Sequence, residues 1–246
     1  QSLENARLFN ETQRLLSQME SEMGLARQAQ KSILPLRPPS HPGYDFGSLI
    51  MPARAVGGDF YDFIPLDDQH LCIVIGDVSG KGLPAALFMA ITFSLARVET
   101  GRSNSQRKIL ENINKFLLKM KARMFVTLLY CYLEFNTGNL RYSRAGHLPP
   151  ILVNRDGKII DIPVIKGQAL GMFENLSIDQ QQFTIPKGGL ALLFSDGLYE
   201  AFDSFGHVFG LDRVKDILVA HRHESAKAIC NNLWLAVQEF NGEILH

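Results

Sequence analysis

Residues 71–82 read LCIVIGDVSGKG: five apolar residues, then Gly76, the carboxylate Asp77, and a turn holding Ser79, Gly80, Lys81 and Gly82. Glycines, a lysine and a following helix suggest a phosphate-binding loop, but that loop needs the spacing GxxxxGK[ST]. Here only three residues separate Gly76 from the Gly80-Lys81 pair, and Gly82 stands where Ser or Thr would bind magnesium. The spacing GxGxxG of a dinucleotide-binding turn is also absent. What remains is a carboxylate delivered to the end of an otherwise hydrocarbon strand.

Working outward, residues 44–51 (YDFGSLIM), 58–66 (GDFYDFIPL) and 70–78 (HLCIVIGDV) are strand-like runs separated by turn residues, which predicts hairpin-connected neighbours. Residues 82–99 (GLPAALFMAITFSLARVE) carry Pro84 early and apolar residues on most faces, the pattern of a largely buried helix. A more amphipathic helix is expected over 105–120. Strands return at 125–135, 139–146, 149–154, 158–164, 177–186 and 188–197, and two helices close the chain over 210–220 and 223–240. Strands and helices come in blocks, which favours an α+β fold of antiparallel sheets covered by helices over a doubly wound parallel sheet.

Before this unit, residues 1–34 contain no proline, and their apolar residues recur at heptad spacing. Phe9, Leu16, Met23 and Gln30 form one column, and Thr12, Met19, Ala26 and Ile33 the other. That pattern predicts a coiled-coil linker helix and a homodimer through residues 1–34. Thr12, Ala26 and Gln30 make the seam weak, and a helix packed on its own domain accounts for such a pattern as well. Pro35, Pro38 and Pro39 end the helix and open a second unit, residues 35–246.

The charges bound the partners. Lys plus Arg and Asp plus Glu each number 25, so no global field draws the chain to nucleic acid or to an anionic membrane. The three cysteines, Cys72, Cys131 and Cys230, lie far apart with no CxxC spacing, and they read as thiols of a reducing compartment. No segment reads as a membrane span or a signal peptide, which predicts a cytoplasmic fragment without membrane contact.

Asp59, Asp62, Asp77 and Asp196 sit at strand ends close to glycine. A carboxylate there loses hydration and needs hydrogen bonds, a cation or a metal in return. Carboxylates, carbonyls and water suit Mg²⁺ or Mn²⁺, whereas zinc would ask for His or Cys. Glycine-aspartate pairs at strand ends are also common as plain turns, so spacing alone leaves both readings open.

AVGGDFYDF (55–63), GDVSGKGLPAALFMA (76–90), AGHLPPIL (145–152), GQALGMF (167–173) and LLFSDGLYEA (192–201), in this order, resemble the SpoIIE-type branch of the metal-dependent protein phosphatases. That branch is the bacterial relative of protein phosphatase 2C, and the resemblance covers roughly residues 30 to 240. It implies a four-layer α/β/β/α sandwich of two antiparallel sheets, preceded here by the coiled-coil helix. It also implies two Mn²⁺ or Mg²⁺ ions and hydrolysis of phosphoserine or phosphothreonine through a metal-bridging water. Carried onto this sequence, Asp59, Asp77 and Asp196 are the metal-binding catalytic residues, with Asp77 bridging the ions and the carbonyl of Val78 adding a ligand. The implied substrate is a phosphorylated signalling protein resembling an anti-sigma-factor antagonist in a partner-switching pathway, and the first helix resembles one leaving an upstream sensor domain such as GAF. The family closes with a strand opening in a further ligand aspartate. This sequence stops at NGEILH, where that run is expected to begin. A catalytically inactive phosphatase-like module that binds or scaffolds a phosphoprotein is the alternative.

Other residues admit two readings each. Arg54 is a candidate clamp for substrate phosphate or a solvated loop residue. His147 is a candidate general acid, with a structural turn histidine favoured. Ser79 and Lys81 read as substrate contacts or, preferably, helix caps, and Asp62 as a support for the metal ligands or a strand-end residue. Trp234 reads as helix core.

Overall fold

The computed structural model describes residues 2–52 and 55–242; Arg54, and residues 243–246 where the closing strand is expected to start, lie outside them. The chain begins with α1 (Ser2–Ile33) and continues through β1 (Phe60–Asp67), β2 (His70–Val78), α2 (Leu83–Thr100), α3 (Gln106–Lys119), β3 (Val126–Glu134) and β4 (Asn139–Ala145). The short β5 (Ile151–Val153) and β6 (Ile159–Ile160), then β7 (Asp179–Thr184) and β8 (Leu190–Leu192), precede a 3-10 turn at Asp196–Leu198, α4 (Leu211–His221) and α5 (Ala226–Asn241).

Two antiparallel sheets result, ordered β1-β2-β3-β4-β7 and β6-β5-β8. The period of two along each strand assigns the layers. On β2, Cys72, Val74 and Val78 join the cluster with Phe88, Met89 and Phe93 of α2 and Ile109, Ile113 and Leu117 of α3. Leu71, Ile73 and Ile75 turn the other way and meet Leu129, Leu133 and Tyr142 of the same sheet and Leu193 beyond β8. A third cluster joins Val153 and Phe194 to α4 and α5 through Val214, Leu218, Leu233 and Val237. The order is helices, sheet, sheet, helices, as the α/β/β/α expectation required. Trp234 is partly buried in that last cluster.

Helix ends follow local chemistry. The Ser105 hydroxyl accepts from the Lys108 amide at the start of α3, and Ser225 from Ala228 at the start of α5. The expected cap at Ser79 is corrected: α2 starts at Gly82 without a side-chain cap, and the Ser79 hydroxyl accepts from the Phe125 amide at 2.9 Å. Positive φ at Gly80 (97°) and Gly82 (74°) explains the two glycines of the turn.

Two further expectations differ from the structure. Residues 44–51 form no strand; Tyr44 and Phe46 pack their rings on Phe135 and Phe63, and Asp45 Oδ2 accepts from the Ala226 amide at 2.6 Å, fixing the segment to the start of α5. Side-chain anchoring has replaced the ladder. α2 is long and apolar enough to cross a membrane by length and composition, with mean hydropathy 1.3, but half of it is buried, and it packs on β1, β2 and α3.

Candidate metal centre

Strand parity brings two of the expected ligands together and removes a neighbour. Phe60 pairs with Gly76, and continuing that antiparallel register sets Asp59 beside Asp77. Both are odd-numbered, so both lie on the face between the sheets, with Leu71, Ile73 and Ile75. Asp62, on the opposite face, meets α2: its two oxygens accept from Arg97 Nε at 2.6 Å and Nη2 at 2.7 Å. Asp62 is therefore a structural ion pair and takes no part in the carboxylate cluster. The alternation was available in DFYD and could have separated the two aspartates.

Glycine makes the approach possible. A Cβ on Gly58 would lie 2.6 Å from the Val78 carbonyl oxygen, and one on Gly76 would lie 2.6 Å from the Phe60 ring. The chain before Asp59 thus runs directly over Val78, whose carbonyl is the expected backbone ligand.

Asp196 opens the 3-10 turn beyond β8 and is exposed. Burial pushes the Asp59 carboxyl above its usual range, the nearby Ser195 side chain draws it partly back, and the charge of Asp196 raises it. Asp77 is pushed up to about 7, by burial first and then by the charges of Asp59, Asp196 and Glu200, against the opposing Val78 amide. Three carboxylates from two sheets therefore share one field, with Glu200 at its margin. Asp59 Oδ1 is buried with no hydrogen-bond partner. An orphaned carboxylate oxygen among like charges fits a divalent cation better than it fits a turn. Among the described residues, no group of three or more His, Cys, Asp and Glu side chains stands close enough to cage an ion by itself. The donor set suits a site completed by carbonyl and water oxygens.

The general-acid reading of His147 fails. The imidazole is buried, and burial, with the nearby Arg144 charge, lowers it to about 4 against the hydrogen bond to Phe194. Both ring nitrogens are engaged, Nδ1 with Thr127 Oγ1 at 2.9 Å and Nε2 with the Phe194 carbonyl at 3.1 Å.

Gln30, set down as a weak seam residue, is buried against the site loop. Its Nε2 donates to the Gly57 carbonyl at 2.6 Å, and its Oε1 accepts from the Gly57 amide at 3.2 Å. The polar residue at an apolar column was the signal.

The family model described as Stage II sporulation protein E (SpoIIE) matches residues 67–246. The phosphoserine phosphatase RsbU of Bacillus subtilis is 31% identical over 230 residues, covering 91% of this chain and 67% of RsbU. Protein IcfG of Synechocystis is 30% identical over 234 residues, covering 84% of this chain and 36% of that protein. The chain thus spans from about a third to two thirds of the length of these relatives. Among solved structures, the SiaA-PP2C domain of Pseudomonas aeruginosa superposes with a TM-score of 0.80 at 21% identity, covering 93% of each chain.

Proposed function

The chain belongs to the SpoIIE family of protein phosphatase 2C-like serine phosphatases, and from that premise we propose that it hydrolyses phosphoserine or phosphothreonine on a signalling protein with two Mn²⁺ or Mg²⁺ ions. The observation that carries this is the buried, unpartnered Asp59 Oδ1 beside an Asp77 whose carboxyl is raised by its like-charged neighbours. Asp59, Asp77 and Asp196, with the Val78 carbonyl, would hold the ions. Bound there, such ions supply positive charge to the phosphoryl oxygens and lower the pKa of the attacking water.

The chain's own residues do the rest. Asp77 feels the charges of both Asp59 and Asp196, which supports giving it the bridging role. Gly58 lets the backbone close on Val78. No side-chain nucleophile or protonated histidine is required, which agrees with a neutral, enclosed His147. Arg54 remains the proposed contact to substrate phosphate.

The proposed substrate is a small phosphoprotein of the anti-sigma-factor-antagonist kind, in the reducing setting that three free cysteines suit. An upstream sensor, GAF-like, would signal through α1. Phe9, Leu16 and Met19 are 63%, 49% and 64% exposed, a face available to a second copy, and the end of α1 holds the Asp59 loop through Gln30. Sedimentation of Leu16→Asp beside the parent chain tests the dimer.

A second reading, a phosphatase-like module that binds a phosphoprotein without turnover, draws on the lack of a closed side-chain cage among the described residues. Hydrolysis of p-nitrophenyl phosphate and of a phosphoserine protein, with and without Mn²⁺ and beside Asp77→Asn, separates the two. Metal-dependent turnover lost in the variant supports the enzyme; a folded protein inert with Mn²⁺ supports the module.

A further inference from the structure

Thr127 lies directly opposite Asp77 in the β2–β3 ladder, on the face between the sheets. Phe194 precedes Asp196 by two residues on the other sheet's side of that space. His147 joins them. A carbonyl only accepts, so Nε2 carries the ring proton and donates to Phe194, which leaves Nδ1 to accept from the Thr127 hydroxyl. One neutral imidazole thus spans from the partner of one expected metal ligand to the approach of another.

The surrounding chain is built to hold that ring. Arg144 Nη1 donates to the His147 carbonyl at 2.6 Å, and the guanidinium also reaches the Ile165 carbonyl. Nε meets buried Asp179 at 3.0 Å, and the Nη2 that reaches Ile165 also lies 2.9 Å from the same carboxylate. Gly146, at φ 70°, lies so close to the 167–169 segment that a Cβ would stand 2.8 Å from the Ala169 amide nitrogen. A Cβ on Gly167 would stand 2.9 Å from the Arg144 carbonyl. These contacts use the two motifs, AGHLPP and GQALGMF, that supply no metal ligand.

We propose that His147 is a positioning residue that fixes the Asp77 strand and the Asp196 turn relative to each other, so that carboxylates from two sheets meet at one cation site. The inference rests on the phosphatase reading for its consequence, though not for its geometry. Losing a direct hydrogen-bond partner of a metal ligand costs about 10- to 100-fold in metal affinity, and a link one contact further out is expected at the low end of that range.

The test uses the full chain with His147→Leu, His147→Gln and Thr127→Val. Manganese binding is read by titration calorimetry below the unfolding temperature, and amide hydrogen exchange by peptide in the metal-free protein. His147→Leu and Thr127→Val are expected to weaken Mn²⁺ binding about tenfold. Both should speed exchange around residues 74–80 and 192–198. His147→Gln, which keeps an N–H for Phe194, should restore protection at 192–198 alone. Folded variants with a lower Tm but parental Mn²⁺ affinity and parental exchange in both segments would overturn the proposal and leave His147 a turn residue. Should His147→Leu fail to fold, Thr127→Val decides, since it removes one hydroxyl and keeps the shape. If the parent chain takes up no Mn²⁺, the phosphatase reading falls while hydrogen exchange still decides the coupling.

Discussion

Gln30 at the end of α1 grips Gly57 by both its backbone donor and its backbone acceptor, two residues before Asp59. α1 is thereby bonded to the loop that delivers a proposed metal ligand. Gln30→Leu leaves the Gly57 amide and carbonyl in a partly buried place without partners, at a cost of about 1–3 kcal/mol. We expect a lower Tm and weaker Mn²⁺-dependent hydrolysis, with the fold kept by circular dichroism. Hydrolysis equal to the parent's would detach α1 from the site.

Asp77→Asn should separate stability from function. The substitution removes a proposed bridging ligand, so hydrolysis should fall by more than the about 10- to 100-fold that an outer partner costs. The same change removes a like charge from beside Asp59 and Asp196. In EDTA at pH 8, thermal unfolding of the variant should therefore come at or above the parent's Tm. A lower Tm would mean that Asp77 is held by unseen favourable contacts, against the cluster described here.

The strand and helix blocks were legible in the sequence for a physical reason, and part of the carboxylate cluster with them. Carboxylates at strand ends beside glycine are costly unless something binds them, so Asp59, Asp62, Asp77 and Asp196 stood out together, and the family resemblance rather than spacing singled out three of them as proposed ligands. Asp62 was less clear because its role depends on Arg97, 35 residues on, and only strand parity aims it there. Gln30 and His147 were less legible still. Each owes its role to a backbone group on another element, Gly57 in one case and Phe194 in the other, and backbone groups leave no mark in residue types. Residues 44–51 read as a strand because aromatic alternation looks the same whether the backbone pairs or the rings alone pack.

The pair formed by Arg97 and Asp62 is unequal in burial, with side chains 51% and 2% exposed. Arg97→Ala would leave a buried carboxylate with the Phe63 amide as its remaining partner, at a cost of about 3 kcal/mol, the low end for a broken buried pair. Asp62→Ala would leave a guanidinium that can turn to water. Urea unfolding should therefore show the arginine variant to be the less stable of the two. Manganese affinity should be unchanged in Asp62→Asn, and a large loss there would return Asp62 to the metal site.

His147 gives the fold a pH dependence whose sign can be worked out. Its folded value, about 4, lies below the ordinary 6.5, so the unfolded chain binds the extra proton first as pH falls. Stability from this group is complete above about 6.5 and lost on acidification towards 4, a swing of about 3 kcal/mol. Arg144, paired with Asp179, is the fixed charge facing the ring and opposes its protonation. Asp77 titrates in the same range with the opposite sign, its folded value being raised. The comparison therefore belongs in the Asp77→Asn background without metal. Urea unfolding from pH 7 to pH 4.5 should show a steep fall in that background and a shallower one when His147→Gln is added. Equal slopes would mean that the buried imidazole takes up its proton without opening the contacts to Thr127 and Phe194.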